Sequence, residues 1–117
     1  MNIHSIQFGA ANHNVTDGSS VTITDNVSNI PNVICFLAIS AQRQLNGSLS
    51  YPGGFFHVQY NRAPVILSDQ GDVFSNSDTG GRFCVITSGG STTFKNNGGD
   101  DTDANLFAFN LFHFTGV

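Results

Sequence analysis

The 117-residue sequence predicts an all-β fold, an antiparallel β-sandwich of jelly-roll character, and three observations carry that expectation. Helix formers are scarce: Glu is absent, Lys and Arg together number 4, and charged residues make up 10% of the chain, against about 25% in ordinary globular proteins. Gly, Asn, Ser and Thr fill the polar positions instead, and Ser, Asp and Asn bond to nearby backbone and favour turns over helix interiors. The apolar complement is led by 11 Phe, joined by Val, Ile and Thr, which suit a pleated, half-buried surface. Finally, strand-like runs recur every 8–12 residues or so between Gly-, Asn- and Pro-containing turns, the spacing of a sandwich. A chain of this length forms a single domain, residues 1–117, with enough bulk for a core.

Residues 1–15 read as an edge strand or as an arm leading from an upstream stalk. In "SVTITD" (residues 20–25) Val21 and Ile23 alternate with Thr22 and Thr24, a half-buried strand. "NVICFLAIS" (32–40) is apolar on both faces and reads as a central strand. The following "ISAQRQL" (39–45) is the one candidate for a helix and is too short to stand as one. Asn-Gly at 46–47 and Pro-Gly at 52–53 mark turns, and each Gly doublet, Gly53-Gly54 included, reads as a turn. "FFHVQYN" (55–61) and "APVILSD" (63–69) follow, with Pro64 confined to a strand start or edge. A brief "VFSN" (73–76) precedes "RFCVITS" (82–88) and "STTFKN" (91–96), two runs joined by Gly89-Gly90 as a hairpin. The acidic stretch "NNGGDDTDAN" then leads into the last strand, residues 105–114, giving about eight strands. No period of 20–50 residues emerges, which excludes a solenoid or propeller.

Charge excludes further classes. A net charge of −4 and the scattered Arg43, Arg62, Arg82 and Lys95 leave no basic stripe for a nucleic acid. No apolar run reaches the ~18 residues of a membrane helix, so no membrane insertion is expected. The start "MNIHSIQFGA" has no basic n-region or long apolar core of a signal peptide. The expectation is a chain made and kept in the cytoplasm before assembly, or an excised domain.

Catalytic signatures are absent. Cys35 and Cys84 sit in apolar runs and read as buried small hydrophobes, with a disulfide between core strands as the alternative and no partner base for a nucleophile. Asp69, Asp72 and Asp78 lie in turn contexts and, in a chain without Trp, do not announce the flanking carboxylates of glycoside hydrolysis. His4, His13, His57 and His113 show no metal-ligand spacing. Asp100, Asp101 and Asp103 could supply oxygens to Ca²⁺, but their spacing departs from the EF-hand loop and they read first as a solvated turn. No cofactor and no enzymatic activity are expected. Sequons at Asn14, Asn26 and Asn46 carry little weight in a chain this rich in Asn, Ser and Thr.

Loops rich in Asn, Asp, Ser and Gly suit a hydroxyl-rich ligand, because amide and carboxylate groups bond paired hydroxyls and aromatic rings stack on a sugar's apolar face. The loop candidates are Tyr51, Phe55, Tyr60, Asn61, Arg62, Asp78, Asp100 and Asp101. The last strand raises a different issue. Read with period two, Phe107, Phe109, Leu111 and His113 share one side, and Leu106, Ala108, Asn110, Phe112 and Phe114 the other. One side of a sandwich strand meets the core, while the other is normally wet. A second apolar side is an interaction surface, so a cyclic oligomer, a trimer, is expected. Its interface candidates are Phe107, Phe109, Leu111, Phe112, His113 and Phe114. A monomer with loops folded over that side is the alternative.

The stretch "SNSDTGGRFCVITSGGSTTFKNNGG" followed by "NLFAFNLFHF" resembles the C-terminal end of phage tail-fibre proteins, from about Val65 onward. In these, D-T-G-G-[RK]-x-C-V precedes a hairpin ending near "TFKNN" and a last aromatic strand. The chain is also similar to trimeric heads of the tumour-necrosis-factor and complement type in ending on an aromatic strand. The resemblance implies a trimeric β-sandwich tip on a virion, binding a host-surface glycan or protein, and supplies no matched binding residues. The expected function is therefore non-enzymatic receptor binding at a viral fibre tip. A structural virion or decoration protein and a free-standing small lectin are the alternatives.

Overall fold

The computed structural model describes the backbone of residues 2–8, 13–24, 34–98 and 103–115, and side chains over 14–22 and 35–98. Among the described residues every regular element is a strand: β1 (Asn2–Phe8), β2 (His13–Thr16), β3 (Ser20–Thr24), β4 (Ile34–Leu45), β5 (Ser48–Ser50), β6 (Gly53–Gln59), β7 (Arg62–Gln70), β8 (Phe74–Ser75), β9 (Arg82–Ser88), β10 (Ser91–Asn97) and β11 (Asp103–Thr115). They form a seven-stranded sheet, β1-β11-β4-β6-β7 with β2 also on β11 and β5 also on β4, and a four-stranded sheet, β3-β10-β9-β8. All pairings are antiparallel except β8 with β9. The roll lies in how consecutive strands split between the sheets: β3 pairs β10 in one sheet while their chain neighbours β4 and β11 pair in the other. The middle of the chain meanders instead, through the hairpins β6–β7 and β9–β10.

The two strands that the sequence marks as apolar on both faces, β4 and β11, are the long central pair of the large sheet. β4 runs on to Leu45, through the segment read as a short helix candidate, because two partners capture it there. Asp103–Leu106 pair it on one side and Ser48–Ser50 on the other. The hairpin closes on Asn46 and Gly47 with φ of 52° and 77°, and two positive φ values are what the Asn-Gly turn supplies. Gly53 and Gly54, expected in a turn, lie inside β6. A Cβ on Gly54 would stand 2.7 Å from Phe56 Cε2 and 3.1 Å from Phe74 Cε2, so this glycine serves close ring packing rather than chain reversal.

The sheets share one core. Cys35, Leu37, Ile39 and Ala41 from β4 and Phe56 and Val58 from β6 meet Phe83, Val85 and Phe94 of the small sheet. A ladder of edge-to-face rings crosses it: Phe56–Phe74 at 5.5 Å, Phe74–Phe83 at 6.1 Å and Phe83–Phe94 at 5.4 Å between centroids. Asn96, wholly buried, ties the layers by donating from Nδ2 to the Val15 carbonyl at 2.8 Å.

Both cysteines are buried and free. Cys84 lies on the face of β9 opposite the ring ladder, under the 75–79 turn, where the Thr79 amide donates to its sulfur at 3.3 Å. Burial pushes the Cys84 thiol above the ordinary cysteine range. The raised value means the unfolded chain releases this proton first. The stabilising contribution is therefore complete below about pH 8.5 and is lost as pH climbs through the folded value. The urea midpoint should fall over that range, and Cys84→Val should flatten the decline; an equally steep fall in the variant would remove Cys84 as its cause.

Candidate functional site

Strand register sends the candidate ligand residues to different places. One end of the sandwich carries the β6–β7 turn, where Gln59 pairs Arg62 around Tyr60 and Asn61. Asn61 holds a positive φ of 52° and clips this turn to the β9–β10 turn, its N–H donating to the Gly89 carbonyl at 2.8 Å while its Oδ1 accepts from the Gly89 amide at 3.3 Å. Asn61 is thus engaged in the fold, and Tyr60 and Arg62 are exposed beside it. The opposite end carries Tyr51 on the β5–β6 link, Gly71 and Asp72 after β7, and Asp78 before β9. Asp100 and Asp101 lie outside the described residues. Of the proposed Ca²⁺ set only the backbone of Asp103 is described, paired between Thr16 and Gln44.

Three carboxylates have structural partners. Asp69 accepts from the Val73 and Phe74 amides at 3.0 and 3.3 Å, which folds the chain from β7 into β8. Asp72 pairs Arg82 at 3.0 Å, and that hydrogen bond raises the guanidinium's already high pKa. Asp78 accepts from Lys95 Nζ at 3.0 and 3.2 Å and from Asn97 Nδ2 at 3.0 Å, closing the turn over Cys84. Phe55 is a strand residue rather than a loop residue: it lies on the outer face of β6, 36% exposed, with its ring stacked on Phe36 at 5.5 Å.

An open pocket of about 180 Å³ sits at the Tyr51 end, lined by Arg43, Ser50, Tyr51, Pro52, Gln70, Gly71 and Val73. The pairings Arg43↔Ser50 and Gly53↔Gln70 build it, bringing the ends of β4, β5, β6 and β7 to one rim. Tyr51 is 65% exposed there. Arg43 continues the odd-numbered row Cys35, Leu37, Ile39, Ala41 along β4, so the period-two rule puts a cation on the core face at the sheet's end. Its guanidinium carbon stands 5.6 Å over the Phe83 ring. The sequence reading missed Arg43, Ser50 and Gln70; extending the row from Cys35 two residues past Ala41 was the signal that would have found Arg43.

For the oligomer candidates only register is described. A bulge between Leu106 and Ala108 leaves Phe107 without a partner on β4 and moves Leu106, opposite Ala41, to the core-face row. Phe109, Leu111 and His113 stand opposite the buried Ile39, Leu37 and Cys35, whereas Phe112 and Phe114 stand opposite Phe36 and Ile34. The simple period-two division therefore holds from Ala108 onward and fails at Leu106. The interface assignment itself concerns side chains outside the described residues. No family model, curated protein or solved structure matches this chain.

Proposed function

We propose that the protein is a non-enzymatic attachment domain of the viral-fibre tip type. It binds a hydroxyl-rich ligand of a host surface at the Tyr51 end and assembles as a homotrimer. The observation that carries the binding reading is the exposed Tyr51 ring beside the pocket that Ser50 and Gln70 share. A ring with neighbouring hydroxyl and amide groups offers a sugar both a stacking surface and bonds to its hydroxyls. The viral-fibre part rests on the resemblance of the 75–99 and 105–114 stretches to tail-fibre ends. The trimer rests on the outer face of the large sheet, where Phe36, Phe55, His57 and Val65 lie together.

A glycan array and whole-cell binding test this. Losing a buried aromatic contact costs about 1.5–3 kcal/mol, so Tyr51→Ala should weaken binding by roughly tenfold or more. Tyr60→Ala, at the opposite end, should leave it unchanged. Binding lost with Tyr60 and kept without Tyr51 would move the site to the other end. Binding to no glycan and no cell would favour a decoration protein, whose surfaces only hold an assembly together.

A further inference from the structure

We propose that the Arg43 pocket selects acidic saccharides, receiving the carboxylate of a uronic- or sialic-type sugar on the Arg43 guanidinium. This deepens the reading above and rests on it. The argument starts from charge pairing. Among the described residues Arg82 has Asp72 and Lys95 has Asp78, while Arg43 and the exposed Arg62 make no ion pair; Arg43 differs from Arg62 in that its Nε is buried without a partner. Among the described residues, the two carboxylates next in sequence to the lining residues Gln70 and Gly71 are committed elsewhere: Asp69 to the Val73 and Phe74 amides, Asp72 to Arg82.

A buried guanidinium nitrogen without an acceptor is costly, and the same residue lines a pocket that is open to a ligand. The Phe83 ring lies beneath Arg43 with its centroid 5.6 Å from the guanidinium carbon, a cation–π contact that favours this placement of the planar group. A flexible lysine would gain nothing comparable. A fixed planar fork matches a carboxylate through two parallel N–H···O bonds. The other lining groups fit the rest of such a ligand: Ser50 and Gln70 offer hydrogen bonds, and the exposed Tyr51 ring offers an apolar face. The volume of about 180 Å³ is below the ~300–1,000 Å³ of pockets that enclose drug-sized ligands, which suits one sugar residue at the end of a longer chain. On a protein of net charge −4 this isolated cation also sets the preference against the long-range field.

The test is a titration of ¹⁵N-labelled protein with methyl glucuronoside and with methyl glucoside, which differ only at the carboxylate. The expected result is tenfold or tighter binding of the glucuronoside, with the Arg43 Nε–H resonance shifting on its addition and losing its intensity in Arg43→Gln. Arg43→Gln should abolish the preference; Gln70→Ala should weaken both sugars and retain it. The comparison in unmodified protein stands even where Arg43→Gln melts early. Equal, Tyr51-dependent affinity for the two sugars would overturn the carboxylate inference and leave the glycan-binding reading intact. No binding of either sugar, together with an empty glycan array, would overturn both.

Discussion

Replacing Phe83 with Ala is expected to lower stability by about 3–5 kcal/mol, a large share of the ~5–15 kcal/mol that holds a domain together. Phe83 is fully buried on β9 and, like Phe74, meets two other rings at once, Phe74 at 6.1 Å and Phe94 at 5.4 Å. Removing it opens a cavity between the sheets that neither rigid neighbour can refill, because both are themselves held edge-on by the ladder. It also withdraws the surface under Arg43. Thermal unfolding followed by circular dichroism should show a midpoint lower by on the order of 10 °C or more. Phe83→Leu, which keeps most of the volume, should cost much less. A Phe83→Ala midpoint within a few degrees of the unmodified protein would mean that the ladder is not the centre of the core.

The ladder shows what kind of information sequence carries here. Burial alternates along β10, with Thr92, Phe94 and Asn96 inward, but β9 buries Phe83, Cys84 and Val85 in a row. Both strands are therefore legible from β-prone runs either side of Gly89-Gly90 rather than from alternation. The run that is apolar on both faces marks β4 as central, whereas the same property in the last strand reads as an interaction surface, and the central place of β11 is visible only in the register. Short partners carry too little pattern to be seen: β2 and β5, four and three residues long, exist only because β11 and β4 outreach their other neighbours. The bulge at Phe107 is equally silent, since a one-residue slip leaves composition unchanged while exchanging faces. The pocket fails for a third reason. Its wall comes from residues 43, 50–52, 70, 71 and 73, and only the pairing of β4 with β5 and β6 with β7 sets them side by side. Loop composition pointed to Tyr51 but gave no means of joining it to Arg43 and Gln70.

Phe55→Asp is expected to dissociate the proposed trimer without unfolding the subunit. Across the outer face of the large sheet, register forms one row of Ser5, Phe112, Phe36, His57 and Val65. The adjacent row runs Gln7, Asn110, Ala38, Phe55 and Ser68. Neither row holds an Asp, Lys or Arg, and Phe55 and Val65 stay 36% and 46% exposed. A face without charged side chains that presents Phe36, Phe55 and Val65 among neutral polar residues is what one subunit can offer to a copy of itself. Introducing a carboxylate there buries a charge without a partner in every copy, a penalty of several kcal/mol each. In the isolated subunit the same carboxylate stands in water on the side of β6 away from Phe56 and Val58, so the core is untouched. Sedimentation equilibrium should therefore give about three times the 12.5 kDa chain mass for the unmodified protein and a single chain mass for the variant. The far-ultraviolet spectrum of the variant should remain that of a β protein. An unmodified protein that sediments as one 12.5 kDa chain at micromolar concentration would end the trimer proposal. A variant that loses its β spectrum along with its assembly would show instead that the subunit cannot stand alone, as in obligate oligomers whose folding and association are one equilibrium.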